Sequence, residues 1–291
     1  FWVVMAILLL SSLPYFNDVI TTQDGVREWV PNLSIEELLT DTNNRVLGFS
    51  SYRMLIYTLS IFVFSEIGWA TWLLVTRRRP YHLALYVPFL FGLYQIFLIL
   101  LDLRRTWAND WDVKLFLISG LSILFAGMYQ SGKNRFTLRI ASRWIMIICA
   151  TVLPFAHDLF TDRMGNVKGW VPVLGFENLL TDREAMVGGF VNYRLFVYFL
   201  MIHVYAHLGW LGAFIYYGHT IRKVRPFLLV PVIISFYSVI VILLDWRETG
   251  FNTPDFKFYL TLFLSILLAI NYFFNDRPKK PQTITTNVND T

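Results

Sequence analysis

The chain is predicted to be an all-α integral membrane protein. Its eight transmembrane helices form two parallel, same-orientation four-helix repeats, with short interfacial helices in long outer loops. Three observations predict this. Hydrophobic residues make up 56% of the 291 positions and charged residues only 15%; soluble domains carry about 25% charged residues, so much of this surface must face something other than water. Several apolar runs reach the about 20 residues that a helix needs to cross a bilayer. Finally, the charged stretch Leu101 to Lys114, LDLRRTWANDWDVK, returns as Leu244 to Lys257, LDWRETGFNTPDFK. Asp102, Arg104, Thr106, Asn109, Asp112 and Lys114 reappear in register as Asp245, Arg247, Thr249, Asn252, Asp255 and Lys257, the mark of a duplication.

Taken in order, Phe1 to Leu13 is an apolar run closed by Pro14 and reads as a first span cut short at its start. Tyr15 to Ser51 is a long polar loop. Within it Ser34-Ile35-Glu36-Glu37 has the spacing of a capping box and predicts a short interfacial helix. Tyr52 to Val75 is the second span, stopped by Arg77-Arg78-Arg79-Pro80. His82 to Leu101 is the third and Val113 to Tyr129 the fourth, with the charged hairpin between them. A polar break at Ser131 to Arg135 follows, and the pattern starts again.

Ile140 to Leu153 ends in Leu-Pro, as Leu13-Pro14 did. Asp158 echoes Asp18, Trp170-Val171-Pro172 echoes Trp29-Val30-Pro31, and Tyr193-Arg194 echoes Tyr52-Arg53. The sixth span carries Gly209-Trp210 where the second carries Gly68-Trp69. Phe227 to Leu244 is the seventh span and Phe256 to Phe274 the eighth. The expected domains are therefore residues 1–132 and 133–276, one membrane repeat each, with a disordered cytoplasmic tail over 277–291. An even number of spans per repeat makes the two repeats parallel.

Lys and Arg dominate the short turns after spans two, four, six and eight, and nearly all acids lie on the opposite side. The positive-inside rule makes those basic turns cytoplasmic. Both termini are then cytoplasmic and the long loops and hairpins face outward, into the periplasm if the membrane is a bacterial inner membrane.

Two sets of residues are candidate sites. The first is an outer polar layer of Arg53, Asp102, Arg104, Asp112, Arg194, Asp245, Arg247 and Asp255, with Asp18 and Asp158 at the same boundary. Arg and Asp at one depth, partly shielded from water, are expected to pair. Such pairs either lock the four helices of each half together or line a site for a lipid headgroup, a periplasmic partner or a small anion. The second set is Glu66, His203 and His207, ionisable groups inside spans. Glu66 and His207 hold matching places three residues before Trp69 and Trp210, so a pseudo-twofold axis between the halves can bring them face to face. That pair is interhelical glue, a proton or ion relay, or a metal-binding pair, with glue the expected reading.

Other signals exclude function classes. The single Cys149 allows no disulfide within the chain, and no zinc-ligand spacing occurs. Two His on one helix cannot supply both axial ligands of one haem, so neither metal nor other cofactor is expected. No Walker A, GxSxG, GxGxxG or HExxH motif is present. Tryptophans near span ends fit interfacial belts. The short basic turns fit topology and anionic lipids rather than nucleic acid.

The plan of each half (span, long outer loop, span, basic turn, span, polar hairpin, span) resembles the four-helix units of DoxX-type and HTTM-type membrane proteins. The resemblance is architectural, covers most of each half and transfers no residue or activity. The expected function is a non-catalytic membrane protein, a subunit or accessory factor of a larger complex that binds membrane lipid or another membrane or periplasmic subunit on its outer face. The alternatives are a proton- or ion-coupled transporter using Glu66, His203 and His207, and a lipid-modifying enzyme with an Asp/Arg site on that face.

Overall fold

Helices alone build the protein. A computed structural model describes residues 2–21, 26–27, 30, 46–132, 136–162, 166–169, 187, 190–217, 225–246 and 249–275. Among them there is no strand, only four isolated bridges that pinch loops. The helices are α1 (Trp2–Ser11), α2 (Phe16–Ile20), α3 (Tyr52–Val75), α4 (Tyr86–Leu100), α5 (Trp111–Ser131), α6 (Leu138–Val152), α7 (Ala156–Phe160), α8 (Tyr193–Tyr216), α9 (Leu229–Leu243) and α10 (Pro254–Asn275).

Six helical segments are long and apolar enough to cross a membrane: Tyr52–Val75, His82–Leu100, Trp111–Ser131, Leu138–Phe160, Tyr193–Tyr216 and Arg225–Leu243. The first and last of the eight expected spans correspond to α1, ten residues long, and α10, 22 residues long. Exposed Phe116, Ile123, Ile145, Phe258 and Phe263 on the outer helices suit a lipid-facing surface. The capping-box helix at Ser34 to Glu37, the loop around Trp170 and the tail over 277–291 lie outside the described residues.

Local chemistry explains the helix ends. The side chains of Ser51 and Asn192 cap α3 and α8 by accepting from the backbone N–H of Met54 and Leu195. Pro14 and Pro154 sit in short 3-10 turns that redirect the chain after α1 and α6. Asp102 and Asp245 stop α4 and α9 in left-handed backbone, with φ of 53° and 52°, a region that Asp tolerates better than most residues. Each following hairpin is then tied back by a tyrosine: Tyr94 donates to the Ala108 carbonyl and Tyr237 to that of Phe251.

The helices α3 and α8 form the centre of the bundle and pack along their lengths. Glycines allow the close approach: a Cβ on Gly68 would stand 3.1 Å from the Trp210 ring, and one on Gly209 3.1 Å from Trp69. The Trp210 indole N–H donates to the Phe64 carbonyl across this seam at 3.1 Å. On the flanks, α4 packs on α3 and α9 on α8, while α1 lies against α9 and α6 against α4. Residues 1–132 and 133–276 therefore interlock instead of standing side by side.

Candidate functional site

The polar residues gather where α2 and α7 end and where α3, α5, α8 and α10 begin. The short α2 carries Asn17 and Asp18, both buried. Arg53, second residue of α3, places Nη2 2.5 Å from Asp18 Oδ1. Lys257, in the first turn of α10, places Nζ 3.2 Å from Asp18 Oδ2. The Asn17 amide also donates to Oδ1, at 2.9 Å. Arg27 Nη2 donates to the Asp18 carbonyl at 3.1 Å. One carboxylate thus holds three polar side chains, two of them cations.

A second cluster has the same parts. Asp158 on α7 accepts from Arg194 at the start of α8 and from Lys114 in the first turn of α5 at 3.0 Å. Lys168 donates to the Asp158 carbonyl at 2.7 Å. His157 stands in place of Asn17, with Nε2 3.3 Å from Asp158 Oδ1.

This pairing corrects the expected role of the outer layer. Arg53 and Arg194 pair with Asp18 and Asp158, while Asp102 and Asp245 serve as helix-ending turn residues. The lysine ties run between residues 1–132 and 133–276, so they join the halves in addition to closing each one. Of the remaining members, Arg104 lines a small cavity with Lys114 and His157 of the Asp158 cluster. The Arg104 guanidinium stacks 3.5 Å over the Phe49 ring, and burial draws its pKa down. Asp112 and Asp255 occupy the first turns of α5 and α10, where the helix dipole favours acids. Arg247 lies outside the described residues.

Beside the Asp18 cluster lies a cavity of about 360 Å³, within the range of small-molecule sites. Its polar lining includes Asn17, Asp18, Arg53, Tyr57, His203 and Lys257, and its apolar lining includes Met54, Leu195, Phe199, Val241 and Ile242. Within the lining, Val191 and Leu195 are exposed and Arg53 is 38% exposed. The Asp158 cluster has only a cavity of about 60 Å³, room for no more than a few waters.

Matching positions line the two cavities, with several substitutions between them. Ile242, Lys257 and Tyr57 line the first as Ile99, Lys114 and Tyr198 line the second. Ser238 and Asn17 of the first are replaced in the second by the bulkier Gln95 and His157.

Glu66, His203 and His207 are not brought together. Glu66 is buried on α3 against Gly92, where a Cβ would fall 1.6 Å from its Oε1, and its nearest hydrogen-bond partner is the Tyr205 hydroxyl at 3.4 Å. His207 Nδ1 lies 3.0 Å from the Ser235 hydroxyl on α9. His207 turns toward its flanking helix α9, while Glu66 packs against Gly92 of α4 and meets α8 through Tyr205, and Trp69 and Trp210 pack over Gly209 and Gly68 at the seam. Of the three, His203 alone lines the large cavity, its Nε2 2.8 Å from the Tyr57 hydroxyl.

Among the described residues no group of three or more His, Cys, Asp or Glu could hold a metal ion. Lys114 and Lys257 are the site residues that the sequence reading undervalued. The available signal was a lysine one turn inside an apolar span, at the same place twice. No protein-family model, curated protein or solved structure matches the chain.

Proposed function

We propose that this chain is a non-catalytic component of a larger membrane complex, and that it holds a lipid in the cavity beside Asp18, Arg53 and Lys257. In this reading it comprises eight spans in two parallel four-helix repeats. Both termini lie in the cytoplasm of a bacterial inner membrane, and the cavity lies on the outer face. The recurring caps, left-handed aspartates, tyrosine ties and Asp–Arg–Lys clusters support the duplication. The observation that carries the lipid reading is the shape of the cavity's chemistry. Charged and hydrogen-bonding groups share the lining with hydrocarbon side chains, and exposed Val191 and Leu195 lie in that lining at the boundary where α8 begins.

The other two readings draw less support. An ion-coupled route through Glu66, His203 and His207 lacks a shared site. An acid–base role for Asp18 meets the difficulty that both carboxylate oxygens are already engaged, Oδ1 by Arg53 and Asn17 and Oδ2 by Lys257.

Purification in mild detergent followed by native mass spectrometry tests the proposal. The expected species is the chain carrying one tightly held lipid and copurifying with a second protein. A monodisperse chain with neither lipid nor partner overturns it.

A further inference from the structure

The two clusters share a design but differ in room, and the difference identifies the ligand's charged end. This step rests on the lipid reading above. Arg53 and Lys257 bring two positive charges to a site whose lining carries one carboxylate, Asp18. Arg53 uses only Nη2 on that carboxylate, and the rest of its guanidinium has no hydrogen-bond partner among the described residues. A guanidinium with free donors is suited to a phosphate. Asn17 is 4% exposed, lines the cavity, and its Oδ1 has no hydrogen-bond partner among the described residues. A ligand hydroxyl satisfies that amide in either orientation, because a hydroxyl both donates and accepts.

We propose that the cavity selects an anionic, hydroxyl-bearing phospholipid headgroup, with its phosphate at Arg53 and Lys257 and its hydroxyl at Asn17. Ser238 and Asn17 line this cavity, and at the matching places the bulkier Gln95 and His157 line the smaller one.

The experiment uses the full chain, delipidated and reconstituted into nanodiscs of equal parts phosphatidylglycerol and phosphatidylcholine, with retained lipid measured by native mass spectrometry after extraction. The expected result is retention of phosphatidylglycerol over phosphatidylcholine by about fivefold, since both lipids carry the phosphate and only the glycerol hydroxyl makes the neutral hydrogen bond to Asn17. Ser238→Gln, which copies Gln95, removes retention of both lipids while the thermal melt stays near wild type. Should that variant misfold, Asn17→His, which copies His157, serves the same purpose. Arg53→Gln lowers retention of both lipids alike, because both carry the phosphate that it contacts. Millimolar inorganic phosphate leaves the retained lipid in place; displacement by it would make the ligand a free anion and overturn the proposal. Equal retention of both lipids overturns the headgroup assignment alone. Retention of neither overturns the lipid reading itself, and wild-type retention in both filled variants shows that the site lies elsewhere.

Discussion

Asp18→Asn should be the most costly single change in the cluster that borders the large cavity, and the structure gives the order in which its neighbours follow. Asp18 is 8% exposed, and the Lys257 side chain is 14% exposed. Losing the carboxylate charge leaves a largely buried ammonium without its counter-ion, which costs about 3 kcal/mol or more. Lys257→Gln costs less, about 1–2 kcal/mol, since Asp18 keeps Arg53 and Asn17 and remains hydrogen-bonded. Arg53→Gln costs the least, on the order of 0–1 kcal/mol, because that side chain is more than a third exposed and water screens its pair. Reversible unfolding in mixed micelles, with each single variant and the Asp18→Asn/Lys257→Gln double variant, reads these costs. The double variant should fall short of the sum of the singles by about 1 kcal/mol or more, since the two residues share one contact. Additive costs, or an Arg53→Gln penalty equal to that of Asp18→Asn, would refute the claim that the lysine tie holds the two halves together.

Three further outcomes follow from packing. Gly212→Ala should destabilise by about 1–3 kcal/mol, since its Cβ would lie 2.2 Å from the Trp72 ring, which is stacked on Trp69 and Tyr216; an unchanged unfolding midpoint would contradict the close approach of α8 to that ring. Glu66→Gln should leave both folding and lipid retention intact, since among the described residues Glu66 has no ionic partner and its Oε2 no hydrogen bond; loss of retention would reconnect Glu66 to the cavity. Ser51→Ala and Asn192→Ala should each cost about 1 kcal/mol in the same unfolding assay by removing a helix cap. A null effect at both would mean that packing alone sets where α3 and α8 begin.

Much of the fold is legible in the chain because hydrophobic run length and breaker chemistry are local properties. Tyr52 to Val75 is helical over its expected bounds, and Leu-Pro ends both α1 and α6 within a residue or two of where it is expected. The composition of the outer layer was legible too, since Arg and Asp do pair there. The partners were not. Asp18 and Asp102 both belong to one boundary in the sequence, and choosing between them depends on rotation about helix axes, which run length does not encode. The expected meeting of Glu66 and His207 fails for the same reason. Residues at matching depth on α3 and α8 need not point at the axis between them, and these two point to Gly92 and Ser235 on the flanking helices. Lys114 and Lys257 were hidden inside a hairpin motif whose acids drew the eye. Finally, the contrast between one large and one small cavity accompanies a difference in side-chain volume at Ser238 against Gln95 and at Asn17 against His157. That contrast takes on meaning only once the two clusters are seen in space.

An experimental density map of the full chain in lipid nanodiscs would test the central claim most directly. The account predicts lipid density in the cavity between α3, α8 and α9, with its headgroup at Arg53 and Lys257, and none at the Asp158 cluster. A cavity closed by the protein's own side chains, or lipid bound equally at both clusters, would contradict it.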